Sequence, residues 1–193
     1  MKLLHLDSSI MGEGSASRAI SGAVVERLRE TDLSLDVTYR DLTAEPIPHM
    51  TLDTFLKLES GEDVQQFLAA DVVVIGVGFY NFSIPSQLKA WVDRIAVKGK
   101  TFTYGETGPV GLSAGKRVII ALARGNVYGE GSPYAAYEHA ETLLRSIFSF
   151  VGADVEVIVA EGLGRGEEAR RTAIDGALAQ ARQMSQSFTA ASF

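Results

Sequence analysis

Two short runs constrain this chain more than anything else in it. "VVVIGV" from Val72 and "RVIIALA" from Arg117 are nearly continuous in β-branched and aliphatic residues. That is the composition of strands covered on both faces, which belong in a parallel sheet with helices above and below. "KLLHL" from Lys2 and "VEVIVA" from Val155 read as two further strands. A fifth segment, "LSLDVTYR" from Leu33, sets Leu33, Leu35, Val37 and Tyr39 against Ser34, Asp36, Thr38 and Arg40. Only one face of it is buried well, which puts it at a sheet edge.

Helical periods fill the intervals. Behind Ser17, read as an N-cap, Ile20, Val24 and Leu28 recur at every fourth residue. From Pro85, acceptable in a first turn, Leu88, Trp91, Val92 and Ile95 mark one helical face. Leu144, Ile147, Phe148 and Val151 mark another, with Gly152 placed to end it. The last helix is expected from Glu167 to Phe188, with a fraying tail beyond, and Met50 to Ala69 is read as helical with a break near Gly61. Strand–helix alternation of this kind predicts an α/β fold, a doubly wound five-stranded parallel sheet with helices on both faces. An edge second strand matches the flavodoxin-like order 2-1-3-4-5. With 193 residues there is room for one full-sized core, and no linker, repeat or low-complexity stretch divides it. Residues 1–193 are therefore expected to form a single domain.

Composition removes several function classes. A net charge of −6 argues against a nucleic-acid partner. Cysteine is absent, which leaves no disulfide framework or thiolate chemistry and is compatible with a cytoplasmic location. His5, His49 and His139 are scattered, so no metal site is expected. No apolar run approaches the ~20 residues of a membrane span. The chain begins at once with a strand pattern, leaving no room for a signal peptide.

In such a sheet ligands bind beyond the carboxyl ends of the strands, where the strand order reverses. Three loops meet there: Asp7–Ser17, Gly78–Pro85 and Ala123–Pro133. The first, "SSIMGEGSASR" from Ser8, ends at a helix start, where free N–H groups and the helix dipole favour an anion and the serines add neutral donors. It is neither a Walker loop nor a dinucleotide fingerprint, so a single phosphate is the ligand it suits. The competing reading is that Ser17 caps the helix, Gly12 and Gly14 turn, and Glu13 faces water. The second, "GFYNFSIP" from Gly78, puts Phe79, Tyr80 and Phe82 around Asn81. A flat ring system would cover what is otherwise an exposed apolar patch, with Asn81 giving directional hydrogen bonds; an aromatic plug under the next helix is the alternative. The third, "ARGNVYGEG" from Ala123, combines Arg124, Gly125 and Asn126, where glycine lets the backbone approach a ligand closely and backbone donors could hold developing negative charge. Arg124 as an ion-pair partner competes with that.

Taken together these loops resemble the FMN-dependent NADH-azoreductase and quinone reductase family, which is flavodoxin-like in fold. The likeness is carried by "SSI…SAS" from Ser8, "YNFSIPSQLKAWVDRI" from Tyr80 and "TFTYGETGPVGLSAGK" from Thr101, and spans nearly the whole chain. It implies that Ser9 and the Ser15, Ala16, Ser17 segment bind the phosphate of a tightly held, non-covalent FMN, and that Phe79, Tyr80, Asn81 and Phe82 border the isoalloxazine. The family's Ser-Arg-Gly-Gly motif stands here as Ala123, Arg124, Gly125 and Asn126, one hydroxyl fewer and one side chain more. Phe79 replaces a common methionine. The resemblance further implies a homodimer with each flavin near the subunit interface, NADH or NADPH as donor, two-electron reduction of quinones and reductive cleavage of aromatic azo compounds.

The chain shows one nucleotide-type site and no second dinucleotide fingerprint. Donor and acceptor would then alternate over one flavin face, a ping-pong scheme. No side chain is assigned as nucleophile or general base, since the flavin carries the hydride. "TFTYGETGPVGL" is a candidate cover for the site, with Phe102 or Tyr104 stacking on the acceptor.

Two rivals are kept. One is a flavodoxin-type electron carrier, which the acidic balance permits. The other is a serine hydrolase at Ser113, because "GLSAG" fits G-x-S-x-G; there, however, the motif leads into a strand instead of following one. "GLGRGEE" from Gly162 resembles a phosphate loop but lacks the third glycine, and reads as a strand-to-helix connection.

Overall fold

The computed structural model describes residues 1–184. The elements run β1 (Lys2–Asp7), α1 (Ala16–Thr31), β2 (Asp36–Asp41), α2 (Leu52–Phe55), α3 (Glu62–Ala69), β3 (Val72–Gly78), α4 (Ser86–Ile95), β4 (Phe102–Gly105), β5 (Gly108–Gly111), β6 (Arg117–Ala123), α5 (Ala140–Phe150), β7 (Asp154–Ala160) and α6 (Glu167–Gln183). Five strands form one parallel sheet, and β4 with β5 forms a separate antiparallel hairpin. Numbered through the whole chain the sheet runs β2-β1-β3-β6-β7; the expected 2-1-3-4-5 counts the same five strands without the hairpin, which reads in the sequence only as a covering segment and inserts two more.

The period of two along the strands assigns the layers. Leu4, Leu6, Val73, Ile75, Val77, Val118, Ile120 and Leu122 point to one face, where Phe67 of α3, Leu88 and Trp91 of α4, and Leu144 and Phe148 of α5 cover them. Leu3, Val72, Val74, Ile119 and Ala121 point to the other, against Ile20, Val24 and Leu28 of α1 and Ala177 and Ala181 of α6. β3 is buried throughout, and β6 in all but its last residue, as their unbroken apolar runs require. β7 is the second edge strand, and there Asp154 and Glu156 are exposed.

Several boundaries move from their expected positions. α1 is capped by Ser15, whose hydroxyl accepts from the Arg18 N–H; Ser17 lies inside its first turn. β2 begins at Asp36, leaving Leu33 97% exposed in the preceding turn, so the alternation there extended further than the strand. The Met50–Ala69 region is two short helices joined by a 3-10 turn at Leu58–Ser60, with Gly61 preceding α3. α6 ends at Gln183, short of the expected Phe188, and residues 185–188 lie outside those described. Gly152 does end α5, at a φ of +83°. It also lets the hairpin in: a Cβ on Gly111 would sit 2.3 Å from the Gly152 nitrogen.

Candidate functional site

The strand order reverses between β1 and β3. α1 leaves β1 on one face and α4 leaves β3 on the other, so a crevice opens above the carboxyl ends of these strands. Ser8 fixes its floor, its N–H and hydroxyl both donating to the Gly76 carbonyl, at 3.1 and 2.8 Å. Ser9 is buried; its hydroxyl lies 3.2 Å from the Tyr80 hydroxyl and accepts from the Met11 N–H at 3.3 Å. Met11 to Ser15 form a 3-10 turn in which Glu13 is exposed. The Ser15 and Ser17 hydroxyls are 3.1 Å apart, both buried. Beside them the N–H groups of Ala16 and Ser17 meet no acceptor among the described residues. An anion at the start of α1 would satisfy them.

At the end of β3 the backbone reverses in a tight turn. The Tyr80 N–H donates to the Ser83 carbonyl at 3.0 Å and the Ser83 N–H to the Tyr80 carbonyl at 3.1 Å. Between them Asn81 and Phe82 have φ of 47° and 72°, both in the left-handed region. Asparagine tolerates that; phenylalanine pays about 1–2 kcal/mol for it. Strain of this kind, held in place by its surroundings, is a feature of binding sites. The Asn81 amide and the N–H groups of Asn81 and Phe82 have no partner among the described residues. Tyr80 folds back over Gly78, where a Cβ would stand 2.8 Å from its ring.

The aromatics are less exposed than the sequence suggested. Phe79 is half-buried against the core and against Tyr128, with ring centroids 4.6 Å apart. Phe82 alone of the three is exposed, at 45%, with Tyr137 at 5.2 Å.

Along β6 the backbone and side chains part company. Ala123 ends the strand, its carbonyl receiving the Phe79 N–H. The N–H groups of Gly125 and Asn126 have no acceptor among the described residues, while the Asn126 side chain turns back on the Val127 N–H. Arg124 is 3% exposed and enclosed by Glu138, Glu141 and Glu161 at 3.4, 2.6 and 3.5 Å. It is the hub of a buried ion cluster. Burial alone would raise the Glu138 carboxyl; the N–H groups of Glu141 and Thr142 and the charge of Arg124 outweigh it and hold the group below its ordinary value.

Sequence reading missed this acidic ring, because Glu138 and Glu141 stand at the start of α5 and Glu161 follows β7, all distant in sequence from Arg124. It also passed over Arg18 and Asp41, which pair beside Ser9, although "DLT" at the end of a strand is an Asx-turn signal for Asp41. Phe102 and Tyr104 are not brought to the crevice within the chain. Their hairpin lies at the amino ends of the strands, with Phe102 against Phe150 at 4.6 Å and Tyr104 60% exposed. Ser113 is there too, buried between β5 and β6; an elbow needs a helix after the nucleophile, and here a strand follows. Its hydroxyl has no partner among the described residues.

A sheet of this order with a hydroxyl-lined helix start at its switch point defines a flavodoxin-like protein. The profile of the flavodoxin-like fold family matches residues 1–184. The chain is 51% identical, over 92% of its length and 96% of the relative's, to an FMN-dependent NADH:quinone oxidoreductase of Methylorubrum extorquens. It is 50% identical to FMN-dependent NADH:quinone oxidoreductase 2 of Bradyrhizobium diazoefficiens, with 95% and 98% covered. Among solved structures it is similar to an azoreductase from Bacillus anthracis (TM-score 0.83, 29% identity, 95% and 100% covered). An FMN-dependent NADH-azoreductase of the same species, in complex with FMN, superposes with a TM-score of 0.80 at 26% identity, with 93% and 97% covered. This chain belongs to the family of flavodoxin-like FMN-dependent NADH:quinone oxidoreductases and azoreductases.

Proposed function

We propose that this protein is an FMN-dependent oxidoreductase that uses NADH or NADPH to reduce quinones by two electrons and to cleave aromatic azo bonds. The likeness at 51% identity along 92% of the chain to a named quinone oxidoreductase carries the reading. The site's own residues fit the cofactor. Ala16 and Ser17 offer free N–H donors beside the Ser9, Ser15 and Ser17 hydroxyls, enough for one phosphate. Phe79, Tyr80, Asn81 and Phe82 form a strained aromatic turn suited to a flat ring. Gly125 and Asn126 offer N–H groups for an anionic edge, and a Cβ on Gly125 would meet nothing within 4 Å.

When bound, FMN supplies the hydride chemistry; the protein supplies position and polarity. The Gly125 and Asn126 N–H groups would hold an anionic edge of the bound ring, and the Arg124 cluster already holds their loop in place. The strand order reverses at one point of the sheet, which supports donor and acceptor taking turns over one ring there. The protein acts as a homodimer in the cytoplasm, on small aromatic acceptors. An electron carrier would need no acceptor space and no nicotinamide turnover, and relatives named as quinone oxidoreductases favour the enzyme.

The test is to purify the chain, titrate it with FMN, and follow anaerobic bleaching by NADH and by NADPH before adding a quinone. Bleaching with quinone turnover, and parallel initial-rate lines, is expected. Failure to bind FMN, or bleaching without quinone turnover, rejects the enzyme.

A further inference from the structure

Arg18 follows directly on the serine loop, in "SASR", and a cation there invites assignment as the phosphate ligand. Its guanidinium is already engaged. Nε and one Nη donate to the Ser9 carbonyl at 3.2 and 2.9 Å. The two Nη atoms grip the Asp41 carboxylate end-on, both at 2.8 Å, and reach Tyr39 and Thr43 hydroxyls at 3.3 and 3.0 Å. Asp41 is itself fixed in a turn at the end of β2, accepting from the Thr43 N–H and hydroxyl at 2.9 and 2.7 Å. The hydrogen bond from Arg18 is the main reason that its carboxyl stays far below the usual range, and the same bond raises Arg18.

We propose that Arg18 is a positioning residue for the cofactor's phosphate, acting through the Ser9–Ile10 peptide and anchored by Asp41, and not a phosphate ligand. The inference rests on the flavin-binding reading of this loop. A trans peptide points its carbonyl and N–H in opposite directions. With the Ser9 carbonyl held toward the guanidinium, the Ile10 N–H faces away from it, and that N–H has no acceptor among the described residues. Asp41 neutralises the cation in place, so the loop presents aimed neutral donors in place of a mobile charge. Only a planar fork can turn its Nε edge to the Ser9 carbonyl and grip a carboxylate with both Nη atoms at once; a lysine ammonium cannot.

The experiment compares FMN with riboflavin, which lacks the phosphate, by fluorescence titration of the full chain and of Arg18→Gln, Arg18→Lys and Asp41→Asn. Each variant is expected to lose about tenfold or more in FMN affinity and less than about twofold in riboflavin affinity. Combining Arg18→Gln with Asp41→Asn should cost no more than either alone. Retained FMN affinity in Arg18→Lys, or tighter FMN binding in Asp41→Asn, would show a direct phosphate ligand and overturn the proposal. Equal losses for the two flavins would show general support of the fold and overturn it as well. Should Arg18→Gln fail to fold, the ratio in Asp41→Asn decides alone. Wild-type protein that binds neither flavin would instead reject the functional reading beneath it.

Discussion

Where the strands begin, Gly111 lies against Gly152, the N–H groups of Leu112 and Ser113 donate to the Thr101 and Val151 carbonyls, and the Lys116 ammonium is received by the Ala70 carbonyl. Where the strands end, the N–H groups of Ala16, Ser17, Asn81, Phe82, Gly125 and Asn126 meet no acceptor among the described residues. One end is closed by backbone contact. The other is held open, and its openness is maintained from behind: Arg18 with Asp41 stands under one loop, Arg124 with its three glutamates under another. Both guanidiniums near the candidate ligand loops are thus engaged within the protein, which cautions against reading an arginine near such a loop as a ligand.

The largest expected effect comes from breaking the second scaffold. Arg124→Gln leaves Glu138, Glu141 and Glu161 gathered around a lost cation, and should destabilise the fold by about 3–5 kcal/mol. Thermal unfolding with and without flavin checks it. A loss of flavin affinity at unchanged melting temperature would mean that Arg124 serves the ligand directly.

At the closed end, Gly111→Ala drives a Cβ into the Gly152 backbone. Overpacking of this kind costs about 1–3 kcal/mol. Because the hairpin is remote from the crevice, FMN affinity of the folded fraction should be unchanged. A weakened flavin site in that variant would show that the two ends are coupled.

Much of this was legible beforehand. The doubly covered strands β3 and β6 announce themselves by continuous Val, Ile and Leu, and Trp91, Leu88 and Ile95 by their helical spacing. The serine loop and the aromatic turn follow from fold logic, since ligands collect where strand order reverses. What stayed hidden depends on contacts distant in sequence. Nothing local to Arg124 says that Glu138, Glu141 and Glu161 surround it. Nothing in "TFTYGETGPVGL" says at which end of the sheet it packs; that is decided by α4, which carries the chain back to the amino ends. Ser17 reads in the sequence as the cap of α1, and backbone geometry gives that role to Ser15 instead.

A smaller effect, opposite in sign, is expected at the open end. Phe82→Gly removes a side chain from a φ of 72° and should stabilise the protein by about 1 kcal/mol, or about 2–4 °C in melting temperature. The same change removes an exposed ring from the mouth, so flavin should bind more weakly. A variant less stable than wild type would mean that the Phe82–Tyr137 contact outweighs the strain.

pH offers a finer probe of the scaffold. Asp41 and Glu138 are held below their ordinary values, so their contributions are complete above the unfolded carboxylate range and are lost as pH falls through the folded values. The melting temperature of the flavin-free protein should show no loss from these two groups between about pH 5 and 8 and should fall in stronger acid; it is the readout of choice because the phosphate of FMN itself titrates near pH ~6. A transition near neutrality would point to another titrating group.

The smallest effect expected is none. Tyr104 is 60% exposed on the hairpin, with Lys98 over its ring, at the end of the sheet away from Ser9 and Tyr80. Tyr104→Ala should therefore leave both FMN affinity and quinone KM at their wild-type values, and steady-state kinetics with a short-chain quinone measures this directly. A raised KM with unaltered flavin binding would require a second copy of the chain to bring its hairpin to this crevice, because the β3–α4 path of a single chain carries Tyr104 away from it.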